Sequence, residues 1–297
     1  MAHVSRLRVF QVDAFTDRPL TGNPAAVVLD ADALDETQMR AVARELNTGD
    51  TAFVLSADGA DHDLRVRFLS RRGEASFVGH ATLAVHAALA AAGRAPCPRQ
   101  KQRSGIVQVT RLTDGPNARI AVRQAVPELL GEPPSTALAA VLTALGLSAA
   151  ALDPRCPPRL AGRSSTRLLI ALADGAALAT LQPDFGRLEQ LSAQLGAPGF
   201  FLFSLRPTVS RVQSEARMFC PALGIPEDPV SGNAHALLGV YLRERGLLDG
   251  DGFVGAQGHH MQRPGRVQIS FTSAAGTLQC VSIIGQTALA FEAALQL

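Results

Sequence analysis

The sequence predicts an α+β protein of two similar lobes, and three observations carry that expectation. Strand-like alternations and helix-like periodicities are interspersed along the whole chain, so neither an all-helical nor an all-strand class fits. The 297 residues are about twice the length of an ordinary domain. Two apolar helices, one opening Gly79-His80-Ala81 and the other Gly232-Asn233-Ala234, begin alike and lie about equally deep into the two halves, which suggests duplication. Two unrelated helix starts that happen to need small residues are the alternative.

The first half opens with a strand around Leu7 to Val12, a turn-rich loop Asp17 to Pro24, and a strand Ala25 to Leu29. Asp35 with Gln38 forms a capping box for a helix whose Met39, Val42, Ala43 and Leu46 share one face, and Asn47-Thr48-Gly49 stops it. Strands are expected at Thr51 to Leu55 and Leu64 to Phe68, then the helix Gly79 to Ala92, ended by Gly93. The polar stretch Pro96 to Ser104 reads as a surface connection, followed by strands Ile106 to Leu112 and Arg119 to Arg123 across the turn Asp114 to Asn117. Prolines 127, 133 and 134 place the lobe junction near residue 125. The expected division is residues 1–125, completed by a C-terminal strand 284–297, and residues 126–283. The second half offers a helix Thr136 to Leu145, a strand Arg167 to Leu172 and a helix Leu188 to Leu195. Strands Phe200 to Leu205 and Val212 to Phe219 and the helix Gly232 to Arg245 follow.

Composition excludes several classes. With 47% hydrophobic and 18% charged residues the chain has the balance of a folded globule rather than a disordered one. Its 28 basic and 26 acidic side chains nearly cancel without a basic cluster, Trp is absent and Tyr241 stands alone, which argues against nucleic acid and lipid surfaces as partners. Cys97, Cys156, Cys220 and Cys280 form no CxxC pair, so neither a zinc site nor a redox dithiol is suggested and buried free thiols are expected. No apolar leader follows Met1 to Arg8, and the most apolar helix is shorter than the ~20 residues of a bilayer span. A cytoplasmic protein is the expectation.

The chemistry-bearing candidates are few. The starts of the two glycine-opened helices offer free backbone N–H groups and a positive dipole end, suited to an anion; tight helix packing would demand the same small residues. Asp50 sits between a helix stop and an apolar strand, where burial would raise its pKa toward acid/base use; the plainer reading is a turn residue bonding its own backbone. His80, in the first turn of its helix, could relay a proton or hold an anion, whereas His86 reads as packed or surface. Asp228 precedes the second helix start, where it could orient His80 or cap the helix. His235 reads as a core histidine. Arg71 and Arg72 could add charge to an anion site or lie solvated on the surface. No GxGxxG, Walker loop, GxSxG elbow or HExxH occurs, leaving carboxylate and histidine chemistry on a small acid, without cofactor or metal.

Several ordered segments carry a family resemblance. They are Val12-Asp13-Ala14-Phe15-Thr16 with Gly22-Asn23-Pro24-Ala25-Ala26-Val27, Asn47 through Val54, Gly79 through Ala84, and Met218-Phe219-Cys220-Pro221 with Glu227 through His235. Gln257-Gly258 and Arg263-Pro264-Gly265 extend them toward the C-terminus. Together they resemble the PhzF-like family of phenazine-biosynthesis isomerases over nearly the whole chain. The resemblance implies a diaminopimelate-epimerase-like fold, with two similar lobes, each a curved β-sheet around a central helix, and the active site in the cleft between them. It implies cofactor-independent isomerisation by proton transfer on a small carboxylate, and a homodimer. In the phenazine enzyme a Glu moves a proton on a dihydro-hydroxyanthranilate ring, assisted by a His and an Asp; by motif those roles fall on Asp50, His80 and Asp228. Asn23, Gly79, Ser231, Gly232 and Asn233 are the implied substrate-binding residues.

Departures bear on substrate. The family's acid is most often Glu preceded by Ser, but here Asp50 follows Gly49, one methylene shorter and without the hydroxyl, which points away from the phenazine precursor. Asn233 replaces a small hydroxyl residue. The two facing thiols of diaminopimelate epimerases and proline racemases are excluded by Val78-Gly79-His80 and Ser231-Gly232-Asn233. A non-catalytic small-anion binding or regulatory protein on the same fold is the competing expectation.

Overall fold

The structure, a computed structural model, describes residues 6–70, 73–115, 117–162 and 165–297; Arg71, Arg72 and Pro116 lie outside them, as do the first five residues. By internal contacts the chain forms two compact units, Met1–Gln124 with Ser282–Leu297, and Ala125–Val281.

In unit 1, β1 (Arg6–Ala14) pairs antiparallel with β2 (Asn23–Leu29), and α1 (Glu36–Leu46) crosses over to β3 (Asp50–Ser56), parallel to β2. Next come β4 (Leu64–Ser70), antiparallel to β3, and the short β5 (Gly73–Ala75). The helix α2 (Gly79–Ala91) leads to β6 (Arg99–Gln102), parallel to β4, then β7 (Gly105–Arg111) and β8 (Arg119–Ala125). The C-terminal strand Thr277–Gln296 pairs with both β1 and β8, so the sheet closes on itself around α2. Thr287 helps the closure, its N–H and Oγ1 donating to Ala118 O at 3.0 and 2.7 Å.

The closed sheet explains the strand sequences. Phe10, Val12, Val27, Ala52, Val54 and Phe68 pack inward on α2, while Leu7, Val9, Val28, Phe53, Leu55 and Leu69 pack outward with α1. Buried on both faces, β2 and β3 read as continuous apolar runs rather than alternations. The segment expected as a polar surface connection, Pro96 to Ser104, instead contains β6. Gln100 and Gln102 are buried there, and Gln100 Nε2 donates to Gln102 Oε1 at 3.0 Å. Polar residues on the inner face disguised the strand.

Unit 2 contains β9 (Leu129–Gly131), α3 (Ser135–Ala144), β10 (Arg159–Ala161), β11 (Arg167–Ala171), α4 (Phe185–Leu195), β12 (Gly199–Ser204) and β13 (Ser214–Cys220). It continues with β14 (Ile225–Asp228), α5 (Gly232–Glu244), β15 (Gly252–Gln257), β16 (Gly265–Ala274) and the start of β17 (Thr277–Gln296). Its strands run β9, β10, β11, β12, β13, β15, β16 across the sheet. The buried helix α5 touches both β9 and β16, so this sheet too curves around its helix. The fold class expected from the sequence is the one observed, and the duplication extends to topology. The order β2, α1, β3, β4, β5, α2, β6, β7 recurs as β11, α4, β12, β13, β14, α5, β15, β16, with the same parallel pairs, β2 with β3 as β11 with β12, and β4 with β6 as β13 with β15. Strands β9, β10, β14, β15 and β16 were not anticipated. The glycines of β15 weaken a strand signal, yet a Cβ at Gly255 would lie 2.3 Å from His235 Cδ2. Among the described residues no helix is long and apolar enough to cross a membrane.

The capping box of α1 is formed, with Gln38 N donating to Asp35 Oδ1 at 2.8 Å and Asp35 N to Gln38 Oε1 at 3.0 Å. Asp35→Ala is expected to lower stability by about 1 kcal/mol, measured by urea unfolding followed by far-UV circular dichroism.

Candidate active site

Asp50 is placed by the end of α1. Asn47 adopts the left-handed conformation (φ 52°) and its N–H closes the helix on Ala43 O at 3.2 Å; after Thr48 and Gly49 the chain enters β3 with Asp50 opposite Ser70. Thr48 Oγ1 donates to Asp50 O at 3.1 Å and steadies that entry. The Asp50 side chain keeps 21% of its surface exposed, but protein surrounds the rest, and this desolvation raises its pKa from 3.8 to about 6. Among the described residues no backbone N–H bonds its carboxylate, so the turn-residue reading fails.

His80 comes from the first turn of α2. Its Nε2 stands 3.6 Å from Asp50 Oδ2, with 14% of the side chain exposed. That is ion-pair range but beyond a hydrogen bond, so His80 is a neighbour of the acid rather than its direct hydrogen-bond partner. The helix start has Val78 as N-cap without a side-chain cap and no acidic residue in the first turn, which leaves the dipole end of α2 available to an anion. Asn23, buried at the head of β2, follows a constrained loop: Leu20 N donates to Asp13 Oδ2 at 2.7 Å. At Gly22 (φ 63°) a Cβ would meet Ala14 O at 2.3 Å. Asn23, Asp50, Gly79 and His80 thus all belong to unit 1.

Unit 2 holds the other candidates. Asp228 ends β14 opposite Met218. Capping of α5, one of the two roles considered for Asp228, belongs instead to Ser231, whose Oγ accepts from Ala234 N at 3.3 Å. Asn233 has its Oδ1 buried without a partner. A residue absent from the expected set organises this segment: the buried Gln257 donates from Nε2 to Asp228 O at 2.7 Å and accepts from Ser231 N at 3.1 Å. Gly258 (φ 87°) lets the chain pass, since a Cβ there would lie 2.2 Å from Arg263 O and 2.8 Å from Pro229 O. The Gln257-Gly258 motif was visible in the sequence, but its contact with a loop 29 residues away was not.

His86, His235, Cys156 and Cys220 are packed in the interior. His86 Nε2 lies 3.2 Å from Gln100 Oε1, and burial pushes its pKa down to about 4. His235 bonds Ser231 O through Nδ1 at 2.8 Å beside Phe201 and is likewise pushed to about 4. Burial drives the Cys220 thiol far upward and Cys156 to about 11, so neither is a thiolate. Among the described residues no group of three or more His, Cys, Asp or Glu is placed to hold a metal ion.

Comparisons with known proteins follow the same lines. The model of the family described as "Phenazine biosynthesis-like protein" matches residues 12–293. The chain is 36% identical over 294 residues to the uncharacterized isomerase YddE of Escherichia coli O157:H7, covering 96% of this chain and 97% of that one. It is 30% identical over 285 residues to the trans-2,3-dihydro-3-hydroxyanthranilate isomerase of Pseudomonas aeruginosa, covering 95% and 96%. In structure it is similar to a Bacillus anthracis phenazine biosynthesis protein of the PhzF family, with a TM-score of 0.86 at 24% identity, covering 99% of this chain and all of that one.

Two measurements test this geometry. A raised carboxyl pKa means that ionising Asp50 destabilises the fold. Asp50→Asn should therefore match wild type in stability only well below the ordinary value of 3.8, where the acid is protonated folded and unfolded alike. It should exceed wild type by about 1 to 3 kcal/mol above pH 6, read from urea titrations across that range. Gln257→Leu should speed hydrogen exchange at the Ser231 amide at least tenfold while leaving amides of α2 unchanged.

Proposed function

The chain belongs to the phenazine biosynthesis-like family, and from that premise we propose that it is an isomerase moving a proton on a small carboxylic acid by carboxylate acid/base catalysis, without a cofactor. The observation that carries this is Asp50, a carboxylate desolvated to a pKa of about 6 with His80 Nε2 at 3.6 Å. A group of that pKa exchanges protons readily near neutrality. In the reaction, Asp50 takes a proton from the carbon acid and returns it at another carbon, so the group is regenerated and no oxidant or reductant is consumed. His80 supports the charge that shifts during the transfer, and backbone N–H groups at a glycine-opened helix start hold the substrate carboxylate.

Assignment of Asp228 as a further polar group, and of Asn23, Gly79, Ser231, Gly232 and Asn233 as substrate-binding residues, belongs to the same proposal. The shorter Asp50 argues for a substrate other than trans-2,3-dihydro-3-hydroxyanthranilate, the acid named for the Pseudomonas relative, because a displaced carboxylate loses reach to the reacting carbon. The family resemblance and the balanced charge further support a cytoplasmic homodimer with neither nucleic acid nor membrane as partner.

Proton NMR in deuterated buffer with a panel of small carboxylic acids, including that dihydroanthranilate, is expected to show deuterium uptake or double-bond migration. Asp50→Asn should reduce uptake at least a thousandfold with substrate affinity nearly intact, and Gly79→Val should weaken affinity instead. Ligand-induced shifts without uptake from any acid would favour a non-catalytic anion-binding protein.

A further inference from the structure

The α5 side of the unit 2 sheet carries a charge that the proposed proton transfer does not use. Strand register decides which residues share that side. Arg167 pairs with Gly199, Phe201 with Met218, and Met218 with Asp228, so Arg167, Gly199, Phe201, Met218 and Asp228 point the same way. Phe201 on that side meets His235 of α5, with ring centroids 5.2 Å apart. The opposite side, with Leu168, Ile170, Phe200, Leu202 and Phe219, is apolar core beneath α3 and α4.

Arg167 lies along this surface across β12. A Cβ at Gly199 would stand 2.6 Å from Arg167 Cδ, 2.8 Å from its Nε and 3.2 Å from Met218 Cε. Glycine at that position therefore makes room for the arginine. The side chain is buried, with 6% of the residue exposed. Its Nη1 donates to Ser165 Oγ at 2.8 Å and Thr166 O at 2.9 Å, both neutral acceptors, and its Nε is buried without a partner.

Arg217 shows how this fold treats a structural buried arginine. It donates to both Glu227 oxygens, from Nε at 2.9 Å and from Nη2 at 2.8 Å. Arg167 has no such carboxylate within ion-pair distance among the described residues; the acidic groups whose fields it feels are Cys220 and Asp228. A buried guanidinium with no carboxylate in contact is only partly compensated for its desolvation, and its Nε is the donor without an acceptor.

The duplication sharpens the point. Ala26 pairs with Thr51 as Leu168 pairs with Phe200, which makes the neighbours Ala25 and Asp50 of unit 1 equivalent to Arg167 and Gly199 of unit 2. Where one unit carries the desolvated acid, the other carries a glycine overlaid by a guanidinium. We infer that Arg167 is a substrate-holding residue, the cation on the Asp228 side of unit 2 that receives the carboxylate of a small acid. The inference rests on the reading of this protein as one that acts on such an acid.

The test uses the full chain labelled with 15N-arginine, with the Arg167 Nε–Hε resonance identified as the one missing from Arg167→Lys. The probes are anthranilate and its neutral counterpart anthranilamide. Anthranilate should shift the Arg167 resonance and anthranilamide should not. Arg167→Lys should weaken anthranilate about 10- to 100-fold, the range of a charge-assisted hydrogen bond, while the exposed control Arg187→Lys leaves its affinity unchanged. An unmoved Arg167 resonance, or equal affinity in Arg167→Lys, would overturn the inference. Should Arg167→Lys prove unfolded, Arg167→Gln supplies the assignment, and the response of the wild-type resonance to anthranilate and anthranilamide decides. Deuterium uptake from some acid with an unmoved resonance would mean that this inference alone had failed. A shifted resonance with no uptake from any acid would mean that the isomerase reading had failed and the binding site stood.

Discussion

Burying a whole helix is the constraint on which the rest of unit 1 depends. From Ala81 to Leu89 every residue of α2 is buried, so the helix has no polar face to give to solvent and must be made of small and apolar residues. Its polar side chains are satisfied internally: Thr82 Oγ1 returns to Val78 O at 2.9 Å, and His86 meets Gln100. The sheet can close around it because Ala84, Ala87 and Ala88 keep it slim; added methylenes in so tight a core typically cost ~1 to 3 kcal/mol. The same solution recurs around α5, where His235 returns to Ser231 O from the position equivalent to Thr82.

A helix enclosed this way presents its start as the one polar end of an apolar column. His80 sits there, and β3 delivers Asp50 beside it with its carboxylate largely removed from water. Desolvation acts on the two units with opposite charge, raising the pKa of the acid Asp50 and lowering that of the base Arg167. Both effects push the group toward its neutral form, and both are relieved by a partner of opposite charge.

Much of this was legible residue by residue. The Asp35 and Gln38 capping box marked α1, the Gly79 and Gly232 runs marked the central helices, and the motif around Asp50, His80 and Asp228 carried the family resemblance. The failures have a common cause. Gln100 and Gln102 of β6 are polar yet buried, and Gly252 and Gly255 of β15 are small because a ring and a carbonyl occupy the space a side chain would take. In each case a neighbour distant in sequence overrode the local pattern.

By itself, then, the sequence determined the α+β class, the repeated helices, and the residue types available for chemistry, because periodicity, capping and composition are local properties written along the chain. Only the tertiary structure decided how those residues behave. It placed His80 3.6 Å from Asp50 rather than in hydrogen-bond contact, assigned the α5 cap to Ser231 rather than Asp228, and bridged Asp228 to Ser231 through Gln257. It also laid Arg167 across Gly199. Distance, burial and the desolvation that follows from burial depend on which strands become neighbours, and that is settled by the pairing of residues far apart in the chain.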